Sequence, residues 1–169
     1  MAHPLELSGG AAPAEQSASD VLRAFISGVG RVAVLDRYGP LTARILVSQI
    51  FLMSGINKLM NPAQTQHEMA DKGMFWVPLF FVGAVVFELV GGLSLLLGYK
   101  ARLGALILIL FLIPVTLVFH SFWTYADPKE QMLNMILFMH NLTLIGGLLL
   151  FMTFGPGPLS FDRRKEPQA

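Results

Sequence analysis

Of the chain's 169 residues, 54% are hydrophobic and only 14% charged, against about 45–50% and about 25% in a soluble globular domain. A mean hydropathy of +0.60 places the surplus apolar surface against lipid, so the sequence reads as an integral membrane protein whose first partner is the bilayer. Its 12 bases and 11 acids leave a net charge of +1, which gives no field for nucleic acid or another polyanion. Cysteine is absent, and with it go disulfides, thiolate-held iron–sulfur clusters and covalently attached c-type haem.

Residues 1–20 are rich in Ala, Ser, Gly, Pro and Gln and lack the basic start and apolar run of a secretory signal. They are expected to form a disordered or partner-bound tail. From 21 to 40 the pattern changes. Leu22, Phe25, Ile26, Val29 and Val32 recur at helical spacing, interrupted by Arg23, Arg31 and Arg37. That combination predicts an N-terminal amphipathic helix lying in the membrane interface.

Four long apolar segments follow, at 41–59, 75–97, 101–123 and 131–154. Each approaches or exceeds the ~20 residues that cross the hydrocarbon layer. Without strand alternation they can span only as helices, so the expected fold is an all-α, four-helix transmembrane bundle over 41–162. Pro114 falls midway in the third and is expected to kink it.

The ends of the segments carry unequal charge. One side holds Arg23, Arg31, Arg37, Arg44, Lys100, Arg102, Arg163, Arg164 and Lys165; the other holds Lys58, Lys72 and Lys129. Basic loops stay inside, so both termini, including a basic tail at 163–169, are expected in the cytoplasm. The aromatic residues Trp76, Trp123 and Tyr125 gather on the outer side.

Several phrases along this frame resemble the DoxX family of small four-helix bacterial membrane proteins. They are Arg44 opening the first span and Gly55-Ile56-Asn57-Lys58 closing it, then Glu88-Leu89-Val90-Gly91-Gly92 with Gly98 and Arg102. Phe119-His120, Asn141-Leu142 with Gly146-Gly147, and the stretch from Gly155 to Asp162 complete the series. The resemblance implies a bacterial inner (cytoplasmic) membrane and a similarity to subunits of thiosulfate:quinone oxidoreductases and other membrane redox assemblies.

Ionisable groups within spans need a reason, since each costs ~2.5–3.5 kcal/mol at a helix centre. At ~1.5 Å per residue, Glu88 lies ~20 Å and His140 ~15 Å from the outer end. Asn141 shares the depth of His140, whereas His120 lies only ~6 Å deep and Lys58 is similarly shallow. Glu88, His140 and Asn141 therefore form a deep candidate catalytic layer, with Glu88 and His140 able to pair or pass a proton. Lys58 and His120, with Asn57, form an outer layer. Lys58 either snorkels outward or turns inward to hold an anion or a quinone carbonyl. A Glu–His bond that merely sets helix pairing explains the deep layer as well as chemistry does.

Haem between His120 and His140 is disfavoured by their ~9 Å difference in depth. No His or carboxylate pair at i and i+4 suggests a metal on these helices. Small residues at Gly91, Gly92, Ser94, Gly98, Gly104, Ala105, Gly146 and Gly147 are expected at close helix contacts. The function expected is a membrane subunit of an oxidoreductase assembly that handles quinone or protons, joined to other subunits of a membrane complex. The alternative is a non-catalytic accessory or scaffold subunit. Whether the chain is itself an enzyme is left open.

Overall fold

The computed structural model describes Asp20 and residues 33–162. Its helices are α1 (Ala33–Met60), α2 (Pro62–Asp71), α3 (Val77–Leu97), α4 (Ala101–Phe119) and α5 (Pro128–Phe154), with a 3-10 turn at Phe122–Thr124. Among the described residues, four stretches are long and apolar enough to cross a membrane: Val34–Met60, Val77–Leu97, Ala101–Thr124 and Pro128–Phe154.

The start of the first span corrects the sequence reading. The expected amphipathic interfacial helix at 21–40 is not a separate element where it can be seen, because residues from Ala33 onward run unbroken into the first span. Gly39-Pro40 reads as a boundary in sequence, yet Pro40 lies inside α1; a Pro within a spanning helix is tolerated when neighbours satisfy the freed backbone. Asp36 occupies the first turn of α1, where an acid complements the helix dipole. The rest of that expected helix, residues 21–32, lies outside the described residues, as do 1–19 and 163–169.

The other element missed in sequence is α2. Asn61 precedes it and Pro62 supplies its first turn, where a residue without an N–H costs nothing. Its single buried side chain is Met69, which packs with Ala84 and Phe111. α2 also brings His67 and Asp71 to i and i+4, an exposed contact at 3.6 Å that sequence reasoning did not anticipate.

The α3–α4 pair is built on small residues. A Cβ on Gly91 would lie 2.6 Å from the Leu108 side chain, and one on Gly104 would lie 2.5 Å from the Ser94 hydroxyl. This is the close approach through which membrane helices recover packing energy. The glycines of α5 behave otherwise: nothing lies within 4 Å of a Cβ on Gly146, and Gly147 meets only Val47 at 4.0 Å. The main core joins Phe51, Leu95, Ala105, Leu108, Leu112, Leu148 and Phe151. Pro114 lies inside α4 without ending it.

The segment after α5 folds back on the α3–α4 turn. Gly98 ends α3 with φ 65°, while the Gly98 and Tyr99 amides donate to the Leu95 and Ser94 carbonyls, a left-handed helix stop. The Asp162 carboxylate then accepts from the Lys100 and Ala101 amides at 2.7 and 2.9 Å, capping α4 in trans. Arg44, 1% exposed, donates from Nη2 to the Leu159 carbonyl. The first span, the α3–α4 turn and the C-terminal segment thus meet around one guanidinium.

Candidate functional site

Ser54 and Lys58 stand one turn apart on α1, and that spacing aims both at α3. Lys58 Nζ lies 2.9 Å from each carboxylate oxygen of Glu88 and donates to the Ser54 hydroxyl at 2.6 Å. Ser54 in turn donates to Glu88 Oε1 at 3.0 Å. The Glu88 side chain is 5% exposed and that of Lys58 20%. A charge buried this far is stable only with a partner and further hydrogen bonds, and Glu88 has both.

The pair lines a cavity of about 260 Å³ between the spans. His120 lines it at the C-terminal end of α4, with Nδ1 3.5 Å from the Asn134 Oδ1 of α5. Asn141, also on α5, donates to the Thr116 hydroxyl at 3.0 Å, and Thr116 donates to the Leu112 carbonyl. Thr65, Glu68 and Met69 of α2 close one side. Polar hydrogen-bonding groups from α1, α2, α3, α5 and the C-terminal end of α4 therefore converge on an otherwise apolar chamber, the usual form of a small-molecule site.

Four of the five candidate residues named from sequence line this chamber: Lys58, Glu88, His120 and Asn141. His140 does not. Its side chain is exposed on the outside of α5, and the expected Glu88–His140 pair is replaced by Glu88–Lys58. Lys58 has turned inward rather than snorkelling. Asn57 also leaves the outer layer, for it is exposed and accepts from Asn61 at 2.9 Å. Sequence reasoning passed over Ser54 and Thr116; the i, i+4 spacing of Ser54 and Lys58 is the signal that could have found the first.

No group of three or more His, Cys, Asp or Glu side chains that could hold a metal ion occurs among the described residues.

The DoxX family model matches residues 39–121, and the SURF4 family model matches 84–167. Inner membrane protein YqjF of Escherichia coli (strain K12) is 37% identical over 131 residues, covering 76% of this chain and 93% of that protein. Inner membrane protein YphA of the same organism is 32% identical over 145 residues, covering 86% of this chain and 99% of its own length. The ER-derived vesicles protein ERV29 of Saccharomyces cerevisiae is 34% identical over 82 residues, 48% of this chain and 26% of that protein. No solved structure matches. The DoxX match contains Arg44, Lys58, Glu88 and His120 and ends before Asn141.

Proposed function

The chain belongs to the DoxX-like family of membrane proteins, and from that premise we propose that it is the membrane subunit of an oxidoreductase assembly whose chamber takes the head of a quinone. The observation that carries this reading is the Lys58–Glu88 pair set in the wall of a chamber that also receives His120 and Asn141. A quinone reduced by two electrons to the hydroquinone takes up two protons, one on each carbonyl oxygen. The imidazole of His120, the ammonium of Lys58 and the carboxyls of Glu88 and Glu68 are ionisable groups in the wall that can hold an exchangeable proton. Asn141 can donate to a carbonyl and orient the ring. The electrons are assigned to a partner subunit.

In this proposal the α2 and His120 end of the bundle faces outward. The Lys100 turn and both termini, with the basic tail at 163–169, lie in the cytoplasm, following the excess of bases on that side.

A second reading has its own observation. Lys58 already contacts Ser54 and both oxygens of Glu88, as a pair that only fixes helix register would. This favours a scaffold subunit that joins other chains of a membrane complex. One purification separates the two. Mild-detergent extraction followed by an absorption spectrum of the extracted lipid should show quinone at a fixed ratio to protein. Co-purifying polypeptides with no quinone would leave the scaffold reading in its place. As a further arm, Glu88→Gln at matched protein level should keep the bundle and lose quinone turnover; full turnover in both Glu88→Gln and Glu88→Leu would remove Glu88 from the chemistry.

A further inference from the structure

A second cavity of about 470 Å³ lies between α3 and α4. Its wall holds no charged or hydrogen-bonding side chain, only Met, Leu, Val, Phe, Ala, Gly and Pro. It shares Met69, Ala84, Phe111, Val115 and Phe119 with the polar chamber, so a charged, hydrogen-bonding space and an apolar one adjoin along these side chains, and a ligand occupying both passes between them. Its outer rim is open to the side of the bundle, where Leu79 and Leu110 are 61% and 60% exposed. That side of the spans faces acyl chains.

One glycine makes room. Gly83 lines the groove and has nothing within 4 Å of where a Cβ would stand. On α4, Pro114 lacks the N–H that would bond the Leu110 carbonyl, and both residues line the groove. Gly83 presents no side chain to whatever lies there.

We infer that the α3–α4 groove holds the isoprenoid tail of the quinone whose head occupies the Lys58–Glu88 chamber, and that the ligand enters sideways from the bilayer between these helices. The inference rests on the quinone reading above and adds to it the path and the seat of the tail. A quinone dissolved in the hydrocarbon layer reaches the polar chamber without crossing water, with Met69, Ala84 and Phe111 as the inner edge of its route. Side chains of fixed position offer the tail more contact per atom than mobile lipid does.

The test uses the full chain in nanodiscs of one lipid composition and two benzoquinones with the same head, one carrying a decyl tail and one carrying none. Gly83→Leu projects a side chain into the groove, and Leu is a better helix former than Gly. It should weaken the decyl compound by about tenfold and leave the tail-free compound unchanged, with Gly83→Ala close to the parent. Equal affinities of the decyl compound for the parent and Gly83→Leu would overturn the groove assignment while the head site stood. Failure of both compounds to bind the parent protein would overturn the quinone reading and the groove's occupant with it. If Gly83→Leu loses the tail-free compound too, Leu110→Ala on the exposed rim decides. Loss confined to the decyl compound supports the groove, and unchanged affinity for both refutes it.

Discussion

The guanidinium of Arg44 occupies the space that a side chain on residue 98 would need. A Cβ on Gly98 would overlap Arg44 Nη1 and stand 2.5 Å from the Ser160 Cβ. Gly98 also has φ 65°, so two separate demands exclude a side chain there. The result is a joint in which α1, the α3–α4 turn and the C-terminal segment are held at one place.

Gly98→Ala should therefore be costly. Left-handed backbone alone costs a non-glycine residue ~1–3 kcal/mol, and displacement of a buried guanidinium adds to it. Thermal unfolding in detergent should fall well below that of Gly146→Ala, where the added methyl meets open space. Equal melting temperatures for the two variants would show that the joint around Arg44 carries little stability.

The Lys58–Glu88 pair predicts an asymmetry between single and double replacements. Glu88→Leu leaves a buried ammonium without its carboxylate, and Lys58→Met leaves the carboxylate without its ammonium. Each should destabilise by ~3–5 kcal/mol. Combining them removes both charges and should recover a large part of that loss, with Glu88→Gln intermediate because its amide can still bond Ser54 and Lys58. A double variant no more stable than either single one would argue against a direct coupling.

His140 provides the control for the site. Its side chain is exposed and absent from the chamber wall, so His140→Phe should leave binding of a tail-free quinone unchanged and alter bundle stability by no more than about 0.5 kcal/mol. His120→Phe and Asn141→Leu should each weaken that binding. A loss with His140→Phe equal to that with His120→Phe would restore the histidine to the site and displace the geometry given above.

The orientation can be read directly because the chain contains no cysteine. Lys129→Cys should react with a membrane-impermeant maleimide on spheroplasts, and Arg102→Cys only after permeabilisation. The reverse pattern would invert the proposed topology.

The four spans were legible because spanning is a property of the chain taken in one dimension. About twenty apolar residues in a row cross the hydrocarbon whatever their neighbours do, and the four observed stretches coincide with the four expected within a few residues, except at the first. There a Gly-Pro pair and the charges of Asp36 and Arg37 imitate a boundary, because local propensity cannot register a helix that neighbouring structure keeps intact. His120 was read as helical and instead ends α4. The short α2 was missed because a polar segment with one apolar anchor, Met69, carries almost no periodic signal.

The amino-acid sequence settled membrane residence, the number of spans and which ionisable groups would need partners, since these follow from the cost of placing charge and backbone in hydrocarbon. Which group answers which was decided only by packing. Depth along a helix places Glu88 nearer His140 than Lys58, but depth says nothing about the direction in which a face points. The rotation of α5 turns His140 outward, while α1 turns Ser54 and Lys58 inward, and the four-carbon stem of Lys58 spans the remaining difference in level to reach Glu88. The rotation of α1 arises from contacts with α3 such as Gly55 on Leu89 and Gly92 on Leu52, which form between segments far apart in the chain.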